Sequence, residues 1–346
     1  MLRSSWLCGL WPLLFVCAGA PGPAPGGKVL VMPVDGSHWL SMKLLVRELA
    51  ARGHEILVLV PETSILLQGS DKEPYETQSF SVPYTATQLA ESTKWLKENV
   101  FYPRPPLAEI STNLGFLLNF TGTQVKGCEA LLYNAELMEG LRSRGFQLLL
   151  TDPFLPCGSI IADALALPAV YFLRGMPCGL DTLALQCPSP PSYVPRFRSG
   201  STDRMGFLER VNNFVMSGVE LQLCRVMYAS FDELAARFLG RQVTYRELLG
   251  QGAIWLLRYD FTFEYPRPIM PNMVFIGGIN CVKGSGLSAE LEEFVEGSGE
   301  HGIVVFTLGS MVASMPKEKA DIFFSAFSRI PQRVRKNIGL ITQEES

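Results

Sequence analysis

The most constraining feature of this chain is a strand, helix and strand at its start. Residues 28–34 (KVLVMPV) are a short β-branched apolar run, and 55–60 (EILVLV) are a second one closed by Pro61. Between them Met42, Leu45, Val46 and Leu49 recur at helical spacing, and Gly53 stops that helix. A unit of this kind implies two parallel strands joined by a right-handed crossover. Strands apolar along their whole length must also be covered on both faces. The alternation continues through apolar runs at 146–151, 169–173, 253–258 and 273–276, with helical patterns over 158–167 and 207–238. Six or so parallel strands are therefore expected in one α/β domain. Helices expected over 87–99 and 134–143 read as peripheral insertions around the Pro-rich 102–106 stretch, and 187–203 reads as an exposed loop.

A Gly, Ser and Glu-rich stretch at 283–300 marks a linker with a short acidic helix inside it. A new strand at 301–310 and a helix at 316–330 then open a second βαβ unit. Ahead of everything, Arg3, the apolar run Trp6–Cys17 and Ala18-Gly19-Ala20 have the layout of a secretory signal peptide ending near residue 20. The run is shorter than the roughly 20 residues a bilayer span requires, which favours cleavage over a retained anchor. No later stretch reaches 18 uninterrupted apolar residues.

Export leaves six cysteines, at 128, 157, 178, 187, 224 and 281, which could pair in 15 ways or remain partly free and buried. None has zinc-ligand spacing, and with three histidines in the chain no metal is expected. The triplet Asn119-Phe120-Thr121 is a sequon, expected on a luminal surface loop with Asn119 as glycan acceptor. With 33 acidic residues against 30 Lys plus Arg the formal net charge is −3, and no basic run occurs, which excludes nucleic acid as a partner.

Ligands of open parallel sheets bind beyond the carboxyl ends of the strands. His38 follows the first strand there, and Asp152 follows the run at 146–151. A carboxylate beside a histidine orients the ring and stabilises the imidazolium formed when it acts as a general base, so the two are a candidate dyad. Taken singly, His38 is more readily a residue that caps the helix or packs in its turn, and Asp152 is as readily a helix N-cap or a turn former before Pro153. The first turn lacks G-x-G-x-x-G, which argues against a nicotinamide dehydrogenase. Thr307, Gly309 and Ser310 end the 301–310 strand in a turn able to hold phosphate oxygens, and Arg258 could pair with a diphosphate. Each of these is a weak signal alone.

Together the stretches KVLVMPVDGSHWLSM, ARGHEILVLVPE, LLLTDPFLPCGSIIA, QCPSPPSYVPR, YPRPIMPNMVFIGGINC and SGEHGIVVFTLGSMV resemble the UDP-glucuronosyltransferases, most closely their phenol- and bilirubin-conjugating family 1. The likeness runs from about Lys28 to about Gln332. It implies a GT-B fold: an N-terminal Rossmann-like acceptor-binding domain over 28–285, with the start of a C-terminal UDP-sugar-binding domain over 286–332. It implies that His38 takes the proton of an acceptor hydroxyl, supported by Asp152, and that the oxygen displaces UDP from UDP-glucuronate with inversion. No further cofactor is implied. Arg258, Thr307, Gly309 and Ser310 would lie near the UDP phosphates, Thr307 standing where serine is the more familiar residue. Residues of roughly 75–230 would shape a pocket for lipophilic phenols and other small hydroxylated acceptors. The resemblance also implies work on the luminal side of the endoplasmic reticulum.

After Gln332 the resemblance implies a tryptophan-containing strand, a donor-binding signature, a membrane anchor and a basic tail. Here the sequence reads Arg-Val-Arg-Lys-Asn from 333, and 333–346 is expected to be a divergent tail. Weak or absent activity of the chain alone, or a regulatory association with full-length transferases, is the corresponding expectation.

Overall fold

The structure is a computed structural model and describes residues 26–64, 67, 72–91, 101–102, 106–173, 178–196, 199–281, 284, 286–308 and 315–336. Seven strands make one fully parallel sheet: β1 (Lys28–Met32), β2 (Glu55–Pro61), β3 (Glu76–Phe80), β4 (Leu148–Thr151), β5 (Ala169–Leu173), β6 (Ile254–Leu257) and β7 (Met273–Phe275). Their order is β3-β2-β1-β4-β5-β6-β7. The direction of winding thus reverses between β1 and β4, which opens a crevice at their carboxyl ends.

Alternate strand residues supply two apolar layers. Val29, Val31, Val58, Leu150 and Phe172 pack against Trp39, Met42 and Val46 of helix α1 (Ser37–Ala51). On the other face Leu30, Leu57, Leu149, Tyr171, Leu173 and Trp255 form the larger core. Helices α2 (Pro106–Leu132), α3 (Ala135–Ser143), α4 (Cys157–Ala164), α6 (Phe207–Leu239) and α7 (Tyr245–Gly250) cover it, with a short α5 (Leu180–Ala184) beside α7.

Several sequence expectations are corrected here. The strand β3 (ETQSF) escaped the reading because only Phe80 of its five residues is fully buried, so it carries no apolar run. Helix α2 was missed behind the prolines, although Leu117, Thr121, Val125, Cys128 and Leu132 recur at helical spacing and Thr121, Val125, Cys128 and Leu132 are buried. The sequon consequently lies on a helix rather than a loop, with Asn119 exposed and the buried Thr121 Oγ1 donating to the Leu117 carbonyl at 2.8 Å. Helix α3 is no peripheral insertion, since Leu137, Met138 and Leu141 enter the core while Asn134 caps its start by accepting from Leu137 N. Of the expected 87–99 helix, 87–91 is helical and 92–99 lies outside the described residues.

Beyond 283, α8 (Ala289–Glu296), β8 (Ile303–Phe306), α9 (Lys317–Phe327) and β9 (Arg333–Lys336) form the second unit, β9 lying parallel to β8. Residues 333–336, read from sequence as the start of a tail, are thus a strand. Val334 pairs with Val304, and the Arg333 guanidinium lies 4.5 Å over the Phe294 ring, so its charged residues keep their heads outside while their stems pack. Residues 337–346 lie outside the described residues.

Candidate active site

The crevice at the switch point holds the two residues singled out by position. His38 is the second residue of α1, and Asp152 immediately follows β4. His38 Nδ1 lies 2.6 Å from Asp152 Oδ2, with the carboxylate fully buried and the imidazole 17% exposed. A carboxylate is acceptor-only, so Nδ1–H donates to it and the lone pair is left on Nε2. The other oxygen, Oδ1, accepts from the Phe154 backbone N–H at 2.9 Å. Asp152 therefore fills both roles read for it, one oxygen shaping the turn and the other orienting the ring.

The surroundings fix this pair from several sides. Gly36, before α1, sits at φ 86°, a backbone conformation that side-chain-bearing residues rarely adopt. Asp35 stabilises that turn by accepting from Gly36 N at 2.7 Å and from the Ser64 hydroxyl at 2.8 Å. Tyr228 of α6 donates its hydroxyl to the Phe154 carbonyl at 3.0 Å, and burial pushes that phenol well above its ordinary range. Phe154 in turn lies 5.5 Å from the His38 ring. Behind the pair, Gly158 lets α4 approach β4: a Cβ there would stand 2.0 Å from Thr151 Oγ1.

His38 and Asp152 line a cavity of about 530 Å³, whose walls include Phe80, Phe116, Leu117, Phe120, Phe154 and Leu155. The Phe116, Phe120 and Phe154 rings stack in series at 6.2 and 6.0 Å. Thr63, Ser64, Tyr84 and Gln124 add polar groups, and burial raises the Tyr84 phenol despite the neighbouring Thr63 hydroxyl. The Cys128–Cys157 disulfide joins α2 to the start of α4 at the cavity wall. A second one, Cys178–Cys224, ties the segment after β5 to α6; Cys187 is a buried free thiol and Cys281 an exposed one. Among the described residues, none of 187–203 lines the cavity, and α6 supplies Phe231 alone. Sequence position found the dyad, but not α2, whose aromatic face makes much of the wall.

Arg258 follows β6 and donates from Nη1 to Ser41 Oγ at 2.8 Å, which puts it beside α1 on the crevice side of the sheet. Thr307 follows β8, at the carboxyl end of the second sheet. Gly309 and Ser310 lie outside the described residues. Among the described residues no group of three His, Cys, Asp or Glu side chains is arranged to hold a metal ion.

A carboxylate–histidine pair on the wall of an aromatic cavity, at the switch point of a parallel sheet, sets a basic nitrogen beside a space lined largely by apolar side chains. The family profile described as UDP-glucoronosyl and UDP-glucosyl transferase matches residues 27–337, and the chain belongs to that family. It is 47% identical over 333 residues to UDP-glucuronosyltransferase 1A1 of Rattus norvegicus, covering 96% of this chain and 62% of that protein. Identity to UDP-glucuronosyltransferase 1A1 of Homo sapiens is 45%, over 93% of this chain and 60% of that one. A UDP-glucuronosyltransferase of Pleuronectes platessa is 47% identical, over 80% of this chain and 59% of its own. The chain thus spans about three fifths of the length of the curated relatives it matches. Among solved structures, a UDP-glucosyltransferase from Polygonum tinctorium superposes with a TM-score of 0.53 at 12% identity, covering 90% of this chain and 66% of that one. The glycotransferase of kitacinnamycin gives 0.53 at 15% identity, over 94% and 69%. These neighbours establish the GT-B type of fold.

Proposed function

We propose that this chain carries the acceptor-binding and proton-abstracting part of a UDP-glucuronosyltransferase acting on lipophilic phenols and related small alcohols. The observation that carries this reading is the 2.6 Å His38–Asp152 contact on the wall of the aromatic cavity. An acceptor ring held among Phe116, Phe120 and Phe154 would present its hydroxyl to His38 Nε2. As the oxygen attacks the anomeric carbon of UDP-glucuronate, the proton passes to Nε2 and Asp152 offsets the imidazolium charge. The C–O bond to UDP breaks on the opposite face, so configuration inverts. Arg258, Thr307, Gly309 and Ser310 are the proposed partners of the leaving diphosphate. The dyad can work as a base without any added cofactor.

The proposed compartment is the lumen of the endoplasmic reticulum, with Asn119 as glycan acceptor; a glycosidase-sensitive mobility shift lost in Asn119→Gln tests both. Turnover by this polypeptide alone is expected to be weak, because positioning the two reactants contributes about 7–11 kcal/mol to such reactions and these four residues are few for a nucleotide sugar. The test is glucuronide formation from UDP-glucuronate and 2-naphthol, by this chain and by residues 1–332 joined to the C-terminal part of the rat relative. The fusion should turn over and its His38→Ala form should not. An active His38→Ala fusion would remove the histidine from the reaction.

A second reading, a non-catalytic subunit associating with longer transferases, is favoured by one observation. In the two-stranded β8–β9 sheet and its helix, Val305 and Ile322 stand 59% and 63% exposed. Coexpression with the rat relative separates the readings: altered output of the relative together with a silent fusion supports the second.

A further inference from the structure

The cavity around the dyad is not uniform, for away from His38 and Asp152 it has a second polar corner. Thr63 follows β2 and Tyr84 follows β3, whereas His38 and Asp152 follow β1 and β4, and all four line the cavity. Strands lie about 4.8 Å apart, so the corner is displaced from the dyad by one to two strands, roughly 5–10 Å. The helical wall gives a similar length. Phe154 lies between His38 and Phe120, and Gly127, seven residues further along α2 than Phe120, is about 10 Å away at 1.5 Å per residue.

The groups of this corner are held in place. Ser64 N donates to the Pro61 carbonyl at 2.9 Å and Glu62 N to the Phe80 carbonyl at 3.0 Å, which fixes the Thr63 turn against the end of β3. Thr85, next to Tyr84, caps a helical turn by accepting from Gln88 N at 3.2 Å. The Tyr84 hydroxyl lies on Gly127, which itself borders the cavity; a Cβ there would stand 2.8 Å from the phenol oxygen, so the ring needs a glycine at that place. Thr63 Oγ1 stands beside the phenol, close enough to act on its ionisation, yet it is shut off from solvent and has no hydrogen-bond partner of proper geometry. Gln124 adds an amide three residues before Gly127, on the same face of α2. Polar groups left unpaired in a closed site weaken the binding of an apolar ligand, and a ligand that supplies a partner recovers the loss. The carboxylates on the wall are Asp35 and Asp152, and among the described lining residues there is no lysine or arginine. An anionic group therefore meets no lysine or arginine counter-ion among them.

We infer that Tyr84, with Thr63 behind it, forms a subsite selecting neutral acceptors that carry a second hydroxyl or carbonyl about 10 Å from the hydroxyl that reacts. The inference rests on the reading of this cavity as the acceptor site. Its test is calorimetric binding to the full chain of biphenyl-4,4′-diol, whose oxygens stand about two strand spacings apart, and of 4-phenylphenol, which lacks the second hydroxyl. The diol should bind about tenfold more tightly. Tyr84→Phe should bring the two affinities together, and Thr63→Val should cut their ratio by about two- to threefold. Both changes nearly preserve side-chain volume, and Thr63→Ser, which keeps the hydroxyl, should preserve the ratio. A carboxylate in place of the second hydroxyl, as in 4′-hydroxybiphenyl-4-carboxylate, should bind more weakly than either.

Equal affinity of the parent chain for the diol and the phenol overturns the inference. So does a ratio that survives Tyr84→Phe, or a carboxylate bound as tightly as the diol. Turnover by the fusion with the rat relative is a separate readout. If the binding ratio behaves as expected while the fusion stays silent, the subsite stands and the proposed reaction falls. If the fusion consumes both acceptors with equal kcat/KM, the subsite falls and the reaction stands.

Discussion

The helix that carries His38 is clamped from outside by Glu73, and this clamp sets a measurable dependence of stability on pH. Lys43 Nζ and Arg47 Nη2 lie 2.7 and 2.8 Å from Glu73 Oε1, and Arg47 Nε lies 2.9 Å from Oε2. The hydrogen bond from Arg47 is the largest influence on this carboxyl; burial opposes it and the bond from Lys43 adds to it. The result is a pKa lowered from 4.5 to about 2. A drop of that size corresponds to roughly 3 kcal/mol at about 1.4 kcal/mol per pH unit. Arg47 is 49% exposed, so solvent screening reduces the expected value to about 1–2 kcal/mol. The carboxyl is depressed in the folded state, so this stabilisation is fully present above pH 4.5 and is lost as pH falls through about 2. Urea unfolding of the parent chain and of Glu73→Gln measures it directly. The two should differ by about 1–2 kcal/mol at neutral pH, with the gap roughly halved near pH 3 and closing below that. A gap that stays constant down to pH 3, or none at neutral pH, refutes the clamp.

Asp152→Asn in the fusion with the rat relative should lower kcat by about 10²–10⁴ while leaving 2-naphthol binding intact; lost binding would make Asp152 a purely structural residue. Cys128→Ser with Cys157→Ser frees a link across 29 residues, and loop entropy sets the expected loss at about 3–4 kcal/mol in denaturant unfolding; a change under about 1 kcal/mol would show a denatured state already compact there. Gly158→Ala drives a Cβ into the buried, β-branched Thr151, so thermal unfolding should register a loss of about 1–3 kcal/mol, and an unchanged midpoint would mean that α4 can back away from β4.

What could be read ahead of the structure follows from where the information sits. Strands such as 55–61 and 169–173 are buried on both faces, so composition alone marks them, and a strand end is where a parallel sheet places its ligands. Residues 38 and 152 were legible for that reason, 114 positions apart yet adjacent in space. The strand 76–80 and the helix 106–132 were not. One is half polar at a sheet edge, and the other starts at a proline following a proline-rich run that reads as a break. The cysteine pairing was also open: six thiols leave their partners undecided until topology brings the start of α4 against α2. The segment 207–239 reads in the sequence as one long, mixed helical region, because a linear pattern does not say which of its apolar residues face the core.

The first strand lies in the middle of the sheet, and that has a consequence in time. Its neighbour β4 is separated from it by 119 residues, as in the Thr151 hydroxyl bonded to the Met32 carbonyl. At a synthesis rate of about 5–20 residues per second, β1 has left the ribosome some 6–24 s before β4 exists to join it. Throughout that interval one side of a strand that is apolar from Val29 to Met32 stands open, and Cys128 has no Cys157 to meet. Maturation of this chain is therefore a matter of waiting with its centre exposed, and chaperone occupancy during synthesis should fall once residue 151 has emerged.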